Sequence, residues 1–249
     1  MVEINSNTMS VPGGTVSGTP LENLDINSAL ENFKGACPIF PLKNYVLFPK
    51  TGQTFRIFEP RYKEMIEDAL SSDRFISIAL LKRTRKSSLD PRPQFYGTGT
   101  LGYIMNSKTM DNGDFQVMVI GLKKVQIHEA IQTQTYRYGK VRILEDTVHF
   151  PQEDEGRERL LQKFTQLLNV SGTESRLNLL KNKLVDVEML TNIVCSVYPV
   201  QKVEQQKLLE LPEVGLRLDV LCHFIDSELK EDEPIEDYVN WIPDPSEWS

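Results

Sequence analysis

The chain has 249 residues, 40% hydrophobic and 25% charged, a globular composition with room for one large domain or two small ones. No apolar run approaches the roughly 20 residues that cross a bilayer, and the opening MVEINSNTMSVPGG lacks the basic and apolar regions of a secretory leader, so a soluble cytoplasmic protein without a membrane partner is expected. Residues 231–249 hold seven acids and no base; removing them from 35 acids leaves 28 against 28 Lys and Arg, a balanced body not expected to attract nucleic acid.

Residues 1–35 are rich in Ser, Thr, Asn, Gly and Pro around one weak apolar cluster (Leu21, Leu24, Leu30, Phe33), which predicts a flexible N-terminal tail. Residues 36–150 read as β-rich. From Cys37 to Leu144 the dominant period is two, with strands expected at Thr54–Phe58, Arg74–Leu81, Leu101–Met105, Phe115–Ile120, Lys123–Glu129 and Tyr138–Leu144. Asp111-Asn112-Gly113-Asp114 tolerates positive φ and should close a hairpin. One helix interrupts the series, opened by Pro60, with Tyr62, Met65, Ile66, Ala69 and Leu70 on the face turned to the sheet.

Residues 151–230 change to a helical period. Leu160, Leu161, Phe164, Leu167 and Leu168 share one stripe, and Leu190, Ile193, Val194 and Val197 another, with Asp186 as N-cap and Pro199 as the stop. Pro212 can open a last helix carrying Val214, Leu218, Leu221, Ile225 and Leu229. Residues 231–249 read as an acidic C-terminal tail, although Tyr238, Trp241, Ile242 and Trp248 are apolar for solvent.

The residues that could carry chemistry point elsewhere on inspection. Gly97-Thr98-Gly99-Thr100-Leu101-Gly102 fits GxGxxG, yet a strand follows it, so no helix N-terminus is available to hold a pyrophosphate; the glycines read as a strand bend or a close backbone approach, and no cofactor is expected. His128, His149 and His223 and Cys37, Cys195 and Cys222 show no metal-ligand spacing, so no metal is expected, and the three scattered cysteines fit a reducing compartment. No nucleophile elbow or phosphate loop occurs, so no catalytic residue is assigned. Lys82-Arg83-Thr84-Arg85-Lys86 with Arg92 is a basic loop, either solvated or touching phosphates. In Phe58-Glu59-Pro60-Arg61-Tyr62 the charged pair can brace the turn into the helix with both rings buried, or the segment can contact a ligand.

At these residues the sequence resembles the Lon protease N-terminal domain family. Pro38-Ile39-Phe40-Pro41-Leu42 with Val46-Leu47-Phe48-Pro49 is similar to the family's opening signature, and Phe58–Tyr62, Gly97–Ile104, Val117–Gln126 and Val141–Glu145 follow in the family's order. Gln205–Glu210 with Val214, Arg217 and Leu218 resembles its end-of-domain pattern. The resemblance implies an α+β fold, a PUA-like β pseudo-barrel followed by a C-terminal α-helical subdomain, and the binding of unfolded or partly folded polypeptides in protein quality control, with a protease or chaperone as partner. The family's ATPase and peptidase parts are not expected here, so the chain is read as non-enzymatic. Tyr45, Phe48 and Phe58 are the expected polypeptide contacts. An RNA-binding barrel and an adaptor acting through its acidic tail are the alternatives.

Overall fold

The structure is a computed structural model that describes residues 26–83, 93–129, 135–147, 153–167, 180 and 185–229. The described residues fall into two units, 26–145 and 146–229. The first holds α1 (Ile26–Glu31), β1 (Ala36–Leu42), β2 (Gly52–Ile57), α2 (Pro60–Leu70), β3 (Phe75–Leu80), β4 (Thr98–Thr109), β5 (Phe115–Glu129) and β6 (Arg137–Ile143). The second holds α3 (Glu153–Leu167), α4 (Val187–Val197), α5 (Lys202–Glu210) and α6 (Val214–Glu228). The class is α+β, with the β-rich unit first and the helical unit second.

The strands lie in the order β2-β5-β4-β3-β1-β6, and β6 returns to pair with β5. Five strands, β5-β4-β3-β1-β6, thus close on themselves, and the pseudo-barrel leaves no edge within that ring. Among the described strands only β1 and β3 pair in parallel. Closure depends on the length of β5. Its first part, Phe115–Ile120, pairs with β2, and its last part, Val125–Glu129, pairs with β6 on the same edge, while β4 follows its other edge. Two expected strands are therefore one, because the run through Gly121 and Leu122 is buried on both faces where the strand changes partner.

β1, which contains Pro38 and Pro41, was not among the expected strands. Its two neighbours cover different halves: β6 pairs with Ala36–Ile39 and β3 with Ile39–Leu42. Pro38, whose carbonyl accepts from Ser77 Oγ on the β3 side, precedes the β3 ladder, and Pro41 follows the β6 ladder, so the missing N–H of each falls where no ladder bond is needed. Residues 26–35, expected in the tail, carry α1, and the Phe33 ring meets Phe75 edge-on at 5.1 Å.

The barrel core gathers Phe40, Phe55, Ile57, Ile76, Ile78, Ile104, Val117 and Val119 under the predicted face of α2, where Tyr62, Met65, Ile66 and Ala69 are buried. Full burial of each Val, Ile, Phe or Met side chain here stabilises by about 1.5–3 kcal/mol. The expected hairpin is present: Met110 N–H donates to the Asp114 carbonyl at 2.8 Å, and Gly113 takes φ +77°. In the helical unit Leu160, Phe164, Leu190, Val194, Leu218, Leu221 and Ile225 are buried, and the Asp186 carboxylate caps α4 by accepting from the Met189 N–H at 2.7 Å. The last helix starts at Val214 rather than at Pro212, because Thr147 forms a parallel bridge with Glu213 and donates its N–H to the Pro212 carbonyl, holding that residue extended.

Candidate functional site

Ring closure leaves β2 as a strand laid against the outside of β5. Gly121 N–H donates to the Thr51 carbonyl at 2.8 Å, and the register then runs Gly52↔Ile120 to Ile57↔Phe115 without a shift. In an antiparallel ladder alternate residues turn their main-chain groups to opposite edges. Thr51, Gln53, Phe55 and Ile57 therefore face β5, and Gly52 and Thr54 direct N–H and C=O away from it. The Gln53 Nε2 donates to the Thr54 carbonyl at 2.9 Å, which holds that oxygen in place along the outer edge. Among the described residues β5 is the only strand that pairs with β2. Gly52, Gln53 and Thr54 are all half-buried and β2 carries no proline; Arg56, which by the same alternation lies on the outer edge, is tied back to Asp114.

The segment after β2 is braced as one of the two sequence readings had it. Arg61 Nη2 donates to Glu59 Oε2 at 2.7 Å, and its guanidinium lies 4.6 Å from the centre of the Tyr62 ring, which is buried. Phe58 is half-buried at the end of the edge strand. On the other side, the hairpin tip is tied to β2 and α2 through Asp114, which accepts from Arg56 Nη2 at 2.9 Å, pairs with Lys63 Nζ at 3.0 Å and accepts from Asn112 Nδ2 at 2.8 Å. The Lys63 ammonium, with help from Arg56 and Asn112 against the cost of burial, holds the Asp114 carboxyl below its usual range.

Of the three expected contacts, Tyr45 is 6% exposed and Phe48 is 0% exposed. Tyr45 packs edge-on to Phe55 at 5.5 Å, and burial pushes its phenol pKa upward. Phe48 is held by its carbonyl, which accepts from Thr51 Oγ1 at 2.8 Å. Both rings are core, because residues 45–48 enter the barrel. Phe58 alone of the three retains exposed surface.

The glycine motif lies in β4, between β3 and β5. A β-carbon at Gly99 would collide with the Ile78 carbonyl and the Ile127 side chain, so this position serves the close backbone approach rather than a phosphate. His128 lies on β5 and His223 on α6; His149 is outside the described residues. Among the described residues no three His, Cys, Asp or Glu side chains are grouped to hold a metal ion. Cys37, Cys195 and Cys222 are buried; burial pushes the first two thiols up to about 12 and raises the third. Of the basic loop, residues 84–92 lie outside the described residues, as do residues 231–249. At the base of that loop Lys82 lies 5.5 Å over the Tyr96 ring and Arg137 5.4 Å over Phe95, so each ring already carries a cation of this chain. No helix among the described residues is long and apolar enough to cross a membrane.

The end-of-domain pattern proves to be a polar lattice. Gln205, 1% exposed, donates through Nε2 to the carbonyls of Cys195, Ser196 and Tyr198, closing the C-terminal end of α4. Arg217, 0% exposed, donates to the Leu208 and Leu211 carbonyls, to Asn192 Oδ1 at 2.7 Å and to Asp146 Oδ2 at 2.8 Å. Sequence reasoning saw these residues and gave them no role; the edge formed by Gly52 and Thr54 it did not see, since nothing in a strand's composition tells which of its edges is covered.

Comparison with known proteins agrees with this architecture. The profile of the family described as "ATP-dependent protease La (LON) substrate-binding domain" matches residues 36–227. The chain is 26% identical over 220 residues to the Lon protease of Dictyoglomus thermophilum, covering 84% of this chain and 26% of that one. It is 28% identical over 194 residues to Lon protease 2 of Herpetosiphon aurantiacus, covering 77% and 24%. The chain thus spans about a quarter of the length of the curated relatives it matches. Among solved structures, the N-terminal domain of the Mycobacterium avium complex Lon protease superposes with a TM-score of 0.62 at 15% identity, over 77% of this chain and 98% of that one. A Lon N-terminal domain protein from Xanthomonas campestris gives 0.54 at 19% identity, over 76% and 98%.

Proposed function

The chain belongs to the ATP-dependent protease La (LON) substrate-binding domain family, and from that premise we propose that it is a non-catalytic module that holds unfolded or partly folded polypeptides in the cytoplasm for a proteolytic or chaperone partner. The observation that carries this reading is the outer edge of β2. A client segment laid along Gly52 and Thr54 would form main-chain hydrogen bonds that do not depend on its sequence, as a broad recognition function requires, and the half-buried Phe58 adds an apolar contact at the end of the strand. Strand addition of this kind needs no ionised group or metal.

Retention of the full chain on an immobilised unfolded protein, against the same protein folded, tests the reading. Thr54→Pro removes an outward N–H at the centre of the edge and leaves the bonds to β5, which an edge strand tolerates. Retention on the unfolded form is expected to exceed that on the folded form, and the proline variant is expected to lose it several-fold while unfolding at the same urea concentration. Equal retention of folded and unfolded protein removes the proposal.

A further inference from the structure

The charge balance of the body is the sum of two opposed halves. Residues 26–145 carry 18 Lys and Arg against 11 Asp and Glu, and residues 146–229 carry nine against 14, so the barrel stands at +7 and the helical unit at −5. Part of the barrel's excess has a definite place. Along β6, Gly139 and Val141 are buried while Lys140 and Arg142 are exposed. Lys140 lies opposite His128 on β5 and Ala36 on β1, and Arg142 lies opposite Gln126. Val141 N–H donates to the Gly35 carbonyl, which brings Lys34 level with Arg142 in register. Lys34, His128, Lys140 and Arg142 are all exposed, and among the described residues none of them forms an ion pair. The acids at the two ends of this ladder are engaged by other cations, Glu129 by Arg137 at 3.6 Å and Glu145 by Lys123 at 3.0 Å.

We propose that the acidic segment 231–249 of the same chain docks on this basic face. It holds seven acids and no base, so its charge complements the barrel and is repelled by the helical unit. It leaves the end of α6, and at roughly 3.4 Å per residue its extended length is about 65 Å. A unit of this size has a radius of gyration of about 14 Å, well short of that length. The tether supplies an effective concentration of order millimolar, which makes a modest intrinsic affinity sufficient. Tyr238, Trp241 and Trp248 add ring faces over which Lys140 and Arg142 can lie.

The protein's two tryptophans, Trp241 and Trp248, both lie in this segment, so tryptophan emission from the unaltered full chain, excited selectively, reports on it alone. At low salt the tryptophans are expected to resist acrylamide. Lys140→Glu with Arg142→Glu should raise the quenching constant about twofold, as should about 0.5 M salt in the wild type. The circular dichroism of the variant should be unchanged, since both side chains are exposed. Converting Glu231, Glu233, Glu236 and Asp237 to Lys in the doubly reversed background should restore the protection. A quenching constant that is the same in wild type and variant and indifferent to salt overturns the proposal. So does a variant that keeps wild-type quenching yet loses salt-sensitive retention on polyuridylate, which would give the face to a nucleic acid.

Discussion

Arg217 has no exposed surface, and four residues of the helical unit, Leu208, Leu211, Asn192 and Asp146, accept hydrogen bonds from its guanidinium. Its replacement by Met would leave the buried Asp146 carboxylate without this cation, which is expected to cost about 3–5 kcal/mol in urea unfolding; Arg217→Lys should recover only part, because one ammonium cannot reach partners in so many directions. Asp114 gives a prediction of the opposite kind. Its pKa is lowered on folding, chiefly by the Lys63 hydrogen bond, so its contribution is present above the unfolded value of 3.8 and is lost as pH falls through the lower folded value. Acid unfolding followed below pH 3.8 should therefore be shallower in Asp114→Asn than in wild type. The three buried thiols, all with raised pKa, should not react with a disulfide reagent at pH 8 until the chain is unfolded. At this scale the sequence was legible where a residue caps or packs along its own element, as Asp186 and the α2 stripe do. It did not reveal the burial of Tyr45 and Phe48, since an apolar residue in a loop before a strand looks the same in sequence whether the loop lies on the surface or, as here, enters the barrel.

Among the elements, hydrophobic period identified β3, β6, α2, α3 and α4 because each keeps one buried face or one buried run along its length. It failed at β1 and β5 for one reason: both change partners partway, so the pattern breaks at Pro38 and Pro41 and again at Gly121, where it mimics a strand end. Closure itself left a trace in the glycines. Gly99→Ala should cost about 1–3 kcal/mol by forcing β4 from β3, with no relief from a larger substituent. Gly113 meets nothing within 4 Å but has φ +77°, so Gly113→Ala should cost about 1–2 kcal/mol, and Gly113→Asn, which tolerates that conformation, should recover most of it. Urea midpoints of the three variants separate a steric from a conformational demand for glycine.

Over the whole molecule, β2 is a strand appended to a closed ring, and among the described residues no strand covers its outer side. The family assignment was readable from ordered short segments, and the fold class followed from it; the edge was not, because it exists only once β6 has returned to β5. Hydrogen–deuterium exchange of the full chain, with and without an excess of a permanently unfolded polypeptide, tests this account most directly. Slowed exchange centred on Gly52 and Thr54, with Phe58 in the same protected stretch, is the predicted result. Protection that falls elsewhere on the barrel while Gly52 and Thr54 exchange at an unchanged rate would contradict it.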